Sequence, residues 1–453
     1  MPHPALPAAP AGALRPPVSA IAPDDVAQVD PRADDPQTGD PGADDPGADY
    51  PGAAPGAAQL RLLRLVLTGF RSYAALTWRP GARIAVLFGP NGSGKTNLLE
   101  AVSLLVPGRG LRGARTADLA RRPDPADPAQ APPAWAVAAR FATLDGPLDV
   151  GTGCPPEGPA DRRVFRLDGA PPRSQAEVAA RLAAVWLTPQ MDRLFQEGAS
   201  SRRRFLDRLV WALEPGHARE VAAHDAAMTG RNRLLAQAGR RGRPDPAWLA
   251  ALEDAMARHG TAATAARAAL AARLDAILAA GLVEGFPRVR VGLDAAVATR
   301  LAGAPAIAVE DWLRASLAAN RDRDAAAGTA ILGAQRCDLV LHDAAGRPAA
   351  LASTGEQKAM LVGLVLAHAG LIAAARGFAP LLLLDEPVVH LDPARREALF
   401  AALAALPAQV LLTGTDAEVF LPLAAVAEGL AVGGGTLTGD PRFRGAWEIP
   451  ASG

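Results

Sequence analysis

From residue 60 onward, apolar positions fall into short strand-like runs near both ends of the chain and into long helical runs between them. Alternating or continuous apolar stretches predict strands at 60–69, 74–78 and 83–88, with Phe70-Arg71-Ser72-Tyr73 as the turn between the first two. A glycine-rich loop follows, and then a helix on which Leu98, Leu99, Val102 and Leu105 share a face. Between 135 and 167, strand-like pieces at 136–141 and 164–167 alternate with Gly/Pro turns. Residues 175–280 read as helical, with one break at 239–246. Strand signals return at 288–293 and 338–342. A loop, a very apolar helix at 359–375, the run 381–384, another helix and a strand at 409–412 complete the pattern. Strands mixed with helices at both ends and helices in the middle predict an α/β domain split by an insertion, divided as 60–200, 201–325 (mainly helical) and 326–453.

Composition changes this picture at the ends. Residues 1–59 are rich in Pro, Ala, Gly and Asp, and 34–57 repeat Asp-Asp-Pro, Pro-Gly-Ala and Gly-Asp, so a disordered acidic tail is expected there. No basic start followed by an apolar run marks it as a signal peptide. The 453-residue chain balances 47 basic against 47 acidic residues, yet 1–59 hold nine Asp and two Arg, which leaves the body at about +7. A polyanionic partner is therefore not excluded. The run 359–375 is slightly short for a membrane span, contains His368, and reads better as a buried core helix. Two cysteines rule out a disulfide scaffold and fit a reducing cytoplasm.

Basic residues are partitioned unevenly: 45 are Arg and two are Lys, Lys95 and Lys358. Lys95 lies in Gly89-Pro90-Asn91-Gly92-Ser93-Gly94-Lys95-Thr96, the spacing of a phosphate-binding loop. Glycines let successive N–H groups face a phosphate, the loop opens a helix N-terminus, the lysine reaches the β/γ-phosphates and Thr96 ligates magnesium. Far downstream, four leucines deliver Asp385-Glu386 to a strand end: Asp385 is placed to hold magnesium through water, Glu386 to orient or deprotonate the attacking water. Such a strand end is common by itself and gains weight only beside Lys95. Lys358 closes the third motif, Ser353-Thr354-Gly355-Glu356-Gln357-Lys358, which is either a second phosphate-facing helix start or an ordinary capping box.

Taken in order, the phosphate loop, the 353–358 signature, the Asp385-Glu386 strand and His390-Leu391-Asp392 resemble the ABC-type ATPases. The 290 residues from Lys95 to Asp385 are too many for a compact transporter ATPase, and the insertion is too short for SMC coiled coils. The Phe70–Tyr73 opening, Asn97-Leu98-Leu99-Glu100-Ala101-Val102, Gly108-Arg109-Gly110-Leu111-Arg112, Leu187-Thr188-Pro189 and Arg203-Arg204-Phe205-Leu206-Asp207 are similar to the RecF family over residues 60 to about 430. The sequence departs from that family's pattern at Gly333-Ala334-Gln335-Arg336-Cys337-Asp338 and at Ala352, where a leucine is usual.

The resemblance implies an ATP- and magnesium-dependent homodimer that binds DNA across paired heads. One subunit's signature (Ser353, Gly355, Gln357) and Asp392 would meet the nucleotide held by the other. Weak, DNA-stimulated hydrolysis would reset it, in recombinational repair, replication and the SOS response, with a RecR-type partner. The other reading is a transporter ATPase subunit, which would need a membrane partner. Gln190, or Thr413 or Thr415, is the candidate γ-phosphate sensor. A histidine often ends the last strand in ABC enzymes and is absent here, which predicts slow turnover.

For DNA contact, the clusters Arg202-Arg203-Arg204, Arg231 with Arg233, Arg240-Arg241 with Arg243, and Arg321 with Arg323 are candidates, against the alternative of solvated helix faces. Arg203 and Arg204 could instead brace the junction between lobes. His217, His224, His259 and His368 lack metal-ligand spacing and read as structural.

Overall fold

The computed structural model describes residues 60–122, 134–154, 162–241, 245–281 and 285–447. The expected acidic tail, 1–59, lies outside them, as do the side chains of Arg240, Arg241 and Arg243.

Two sheets carry the head. β1 (Arg61–Phe70) and β2 (Tyr73–Trp78) form the expected hairpin, and β3 (Ile84–Phe88) leads into α1 (Lys95–Ser103). β4 (Trp135–Thr143), β5 (Gly146–Cys154) and β6 (Val164–Leu167) complete an antiparallel sheet of order β2-β1-β4-β5-β6. The sequence pattern missed β5, whose Gly146, Pro147, Gly151 and Gly153 disguise a strand.

After the short helix α2 (Gln175–Arg181) comes β7 (Ala184–Leu187), a strand where the pattern predicted helix. Four consecutive buried residues have no period, so Ala-Val-Trp-Leu could not be told from a helical segment. Helices α3 (Ala199–Leu213), α4 (His217–Arg241) and α5 (Pro246–Ala280) follow, and the 239–246 break falls between the last two. β8 (Val289–Asp294), α6 (Ala296–Leu301), α7 (Ala306–Ala319) and α8 (Arg321–Ala327) lead to β9 (Asp338–Asp343), which pairs antiparallel with β8 across the expected boundary at 325.

The last segment holds α9 (Thr354–Arg376), β10 (Leu381–Leu384), α10 (Pro393–Ala405), β11 (Val410–Gly414) and the hairpin β12 (Ala427–Gly433) and β13 (Thr436–Gly439), which the pattern also missed. The second sheet runs β13-β12-β3-β11-β10-β7, with every pair parallel except the terminal hairpin. Its strands come from both ends of the chain, so the head closes only when the two ends meet. β11 lies between β3 and β10, which brings the loop after β3, the end of β11 and Asp385 to one carboxyl edge.

α9 is long and apolar enough to cross a membrane, but its apolar positions are buried, packed against α3, α5 and β7. A second, smaller core gathers Ala227, Met256, Ala257, Val309, Leu313 and Leu317 from α4, α5 and α7. The C-terminal half of α5, through Leu270, Leu274 and Leu278, belongs to the main core. One helix thus ties the insertion to the head.

Candidate functional site

The loop after β3 is shaped by its glycines. Gly89, Gly92 and Gly94 all have positive φ (147°, 80° and 111°). A Cβ at Gly94 would lie 2.8 Å from the Ser72 hydroxyl and 2.9 Å from that of Tyr73. The Tyr73 hydroxyl donates to the Gly94 carbonyl (3.0 Å), and its burial raises its pKa to about 12, so it stays a donor. At Gly92 nothing lies within 4 Å of the missing side chain, leaving that side of the loop open. Ser93 donates its N–H to the Pro90 carbonyl (3.2 Å), whereas its hydroxyl is buried and has no partner.

α1 begins at Lys95 with no side-chain cap and no acidic residue in its first turn, so its leading N–H groups face the loop uncompensated. The Lys95 ammonium is nearly buried and donates to the Gly89 (2.7 Å) and Pro90 (2.9 Å) carbonyls. Burial pulls its pKa below the ordinary lysine value, while the carboxylates of Glu386 and Asp385 oppose this. These features together form a positive, backbone-lined cradle of the polarity that a polyphosphate requires.

Asp385, Thr96, Thr413 and Glu386 form one chain of contacts. The Thr96 hydroxyl donates to Asp385 Oδ1 (2.9 Å), and the Thr413 hydroxyl donates to the same oxygen (2.7 Å). The backbone N–H of Glu386 donates to Thr413 Oγ1 (2.9 Å). Glu386 sits at φ +49°, a left-handed conformation that a non-glycine residue adopts only under local constraint. Thr96 and Asp385 are hard oxygen donors already in contact, so they fit a magnesium ion that would take its remaining ligands from phosphate and water. Among the described residues no cluster of three or more His, Cys, Asp or Glu offers a denser metal site.

Thr413, weighed as a γ-phosphate sensor, is fully buried with its hydroxyl committed to Asp385 and the Glu386 backbone. It organises the two acids, a role invisible until β11 is seen between β3 and β10. Gln190 is exposed in the 3-10 turn Pro189–Arg193 that follows β7, and the Leu187 carbonyl at that strand's end accepts the Asp385 N–H (2.9 Å).

Ser353 caps α9 in a complete capping box: its hydroxyl accepts the Glu356 N–H (3.3 Å), and Glu356 accepts the Ser353 N–H (2.8 Å). Both alternatives read from the sequence are compatible here, because the capped end is also exposed. A Cβ on Gly355 would come within 3.0 Å of the His390 carbonyl, so the signature and the 386–392 segment are packed closely. Asp392 is partly exposed and caps α10 through the Arg395 N–H (2.9 Å).

Gln357 points inward. Its amide donates to the Ala352 carbonyl (2.8 Å), so it braces the approach to α9 rather than facing out beside Ser353. Lys358 is also fully buried and forms an ion pair with Asp192 (2.7 Å).

Three of the arginine clusters are altered by packing. Arg231 is entirely buried, donating to Glu253 (3.0 Å), Asp324 (2.7 Å) and the Leu317 carbonyl (2.7 Å), and Arg321 is bidentate on Glu253. Arg202 is bidentate on Asp338, and Arg203 reaches the Cys337 carbonyl (3.3 Å). Arg204, Arg233 and Arg323 remain exposed. The departed loop is held inward as well: Gln335 and Arg336 both donate to the Ala330 carbonyl, and Arg267 links Ala334 to Asp207. His217 contacts Asp207 and His259 contacts Glu220, consistent with structural roles.

Comparison with known proteins places this geometry. Residues 61–428 match the family model described as "RecF/RecN/SMC N terminal domain". The chain is 46% identical over 385 residues to the DNA replication and repair protein RecF of Mesorhizobium japonicum, covering 84% of this chain and 98% of that protein. It is 46% identical over 389 residues to the protein of the same name from Caulobacter vibrioides, again covering 84% and 98%. A solved structure described as "the recombination mediator protein RecF-ATPrS in RecFOR pathway" shares the fold at 18% identity and a TM-score of 0.72, covering 85% of this chain and all of that one. Sequence, span and fold agree, and the chain belongs to the RecF family within the RecF/RecN/SMC group.

Proposed function

We propose that this protein is an ATP-dependent DNA-binding ATPase of the RecF type, in which two copies hold ATP between them. The observation that carries the reading is the chain from Thr96 through Asp385 and Thr413 to Glu386, set beside an uncapped helix start and a buried lysine. The cradle amides and Lys95 neutralise the phosphates. Magnesium, which Thr96 and, through water, Asp385 would hold, would supply neutralisation of phosphate charge. Glu386 orients or deprotonates the water, and its backbone N–H is held by Thr413. The exposed Ser353 end of α9 is the surface offered to a second copy's triphosphate.

The names borne by the relatives, DNA replication and repair protein RecF and a mediator in the RecFOR pathway, support a role in recombinational repair with DNA and a RecR-type partner. Non-specific contact with single-stranded, gapped or duplex DNA through exposed arginines such as Arg204, Arg233 and Arg323 suits a body at about +7. Family membership disfavours the transporter reading.

The test is sedimentation with gapped DNA, with and without ATP, for the wild type, Lys95→Ala and Ser353→Arg. ATP-dependent co-sedimentation of the wild type alone supports the reading; co-sedimentation of all three, or of none, contradicts it.

A further inference from the structure

A cleft with about 310 Å³ of empty space, part of it open to solvent, lies between the chain after α1, the end of α2, β7 and α3. It takes in Ala183 and Ala184, at the opposite end of β7 from Leu187, whose carbonyl accepts the Asp385 N–H. Val106, Leu182, Trp186 and Trp211 give it apolar walls. Among the described residues Arg208 is the one charged group that lines it.

Arg208 has no countercharge there. Among the described residues it forms no ion pair, and its single hydrogen bond is to Met191 Sδ (3.6 Å), a weak acceptor. Its guanidinium stands over the rings of Trp186 (4.7 Å) and Phe205 (5.2 Å). A π face attracts the charge but leaves the forked N–H donors without an oxygen acceptor. Burial lowers its pKa to about 9 with no carboxylate in opposition, so it is a cation at neutral pH. The surroundings add positive charge. Arg376 donates to the carbonyls of Ala179 (2.6 Å) and Ala212 (2.8 Å), which both line the cleft. Burial lowers its pKa to about 10, again with no acid opposing. The indole N–H groups of Trp186 and Trp211 are buried and lack acceptors, and Trp186 is only 5% exposed.

Two guanidiniums and two orphan indole donors without a carboxylate cost stability unless an anion completes the arrangement. A carboxylate presents two oxygens that match the guanidinium fork. A phosphate would bring more, and more strongly hydrated, oxygens against walls that cannot bond them. We infer that this cleft binds a small aliphatic carboxylate, its acid group on Arg208 and its hydrocarbon body against Leu182, Trp186 and Trp211. Such a group comes either as the C-terminal residue of a peptide or as a free branched acid, and the recognition is the same. The site is separate from the phosphate cradle and does not depend on the function proposed above.

The test is calorimetric titration of the wild type, Arg208→Met and Ala212→Leu with 4-methylpentanoate, its neutral amide 4-methylpentanamide, N-acetyl-leucine and inorganic phosphate. The wild type should bind 4-methylpentanoate, and neither the amide nor phosphate should displace it. Arg208→Met keeps a long side chain and removes the charge, and should weaken the acid about tenfold to a hundredfold. Ala212→Leu leaves Arg208 in place and fills part of the cleft, so it should weaken the acid too, and it replaces Arg208→Met if that variant fails to fold. Both variants should bind ATP like the wild type. N-acetyl-leucine binding at least as tightly as 4-methylpentanoate identifies a chain terminus as the source, and binding of 4-methylpentanoate alone identifies a free acid; either supports the site. No binding of either acid to the wild type, equal binding of acid and amide, equal competition by phosphate, or an acid affinity unchanged in the folded variant would overturn the inference.

Discussion

At the scale of single residues, the site turns on how two neighbouring acids are kept different. Asp385 Oδ1 accepts from two hydroxyls, those of Thr96 and Thr413, which fix it toward Thr96. Glu386 has a left-handed backbone (φ +49°), and the Thr413 hydroxyl accepts its N–H. Thr413→Val removes both contacts at nearly constant volume. The expected result is a drop of about tenfold to a hundredfold in turnover with ATP affinity retained, and recovery in Thr413→Ser. A Thr413→Val enzyme with wild-type turnover would show that the bridge is ornamental. The cradle was legible from its spacing, and the two acids only because Lys95 stood in the same chain. The part of Thr413 was not, because it depends on strand order, and neither were the inward turns of Gln357 and Arg231, which depend on which helix face meets a neighbour.

Elements show where pattern reading succeeds and where it loses its signal. Leu381–Leu384 was found because Asp-Glu marks its end, while Ala184–Leu187, its hydrogen-bonded neighbour, carries no such mark and was absorbed into a helix. The helix α9 was recognised as buried because its apolar run is slightly short for a span and is interrupted by His368; burial lowers that imidazole's pKa to about 3, so it stays neutral in the folded protein.

β12 carries a group with a testable pH signature. Burial raises the Glu428 carboxyl to about 7, against hydrogen bonds from the Gly81 and Ala82 N–H groups that lower it. The folded state then holds a proton that the unfolded state releases, so stability falls as pH rises from about 4.5 to 7 and stays reduced above. Glu428→Gln should flatten this slope and add about 1–2 kcal/mol at pH 8, a range discounted for partial exposure, with little change at pH 4.5. Urea unfolding at the two pH values measures it, and parallel shifts at both would refute it.

In the insertion, Arg231→Met takes the buried ion-pair partner from Asp324 and leaves Glu253 to Arg321 alone. A loss of about 3–5 kcal/mol is expected there. Hydrogen exchange should accelerate in α4, α5 and α7 while β3, β10 and β11 stay protected. Accelerated exchange in those strands would show that the insertion does not open separately.

For the whole molecule, the chain's neutral total conceals a basic body behind an acidic first segment. Binding to DNA through arginine–phosphate contacts should weaken steeply with salt, and each of Arg204→Ala, Arg233→Ala or Arg323→Ala at a true contact should reduce the slope of log affinity against log salt by about one. Arg231→Met should leave that slope unchanged, since its guanidinium is sealed inside. The antiparallel sheet, the parallel sheet and the helical insertion all arise from one chain whose nucleotide motifs stand at opposite ends, and folding brings the cradle and acids together on one edge. The serine end of α9 is left facing outward.

That outward face makes the central claim open to a direct measurement, the ATPase activity of Lys95→Ala and Ser353→Arg mixed in equal amounts. Each variant alone should be inactive, one lacking a working cradle and the other a working helix end. In a mixed pair the Ser353→Arg copy supplies an intact cradle and the Lys95→Ala copy an intact serine, so hydrolysis that neither has alone should appear on mixing. A mixture no more active than its two components would contradict a site shared between two copies.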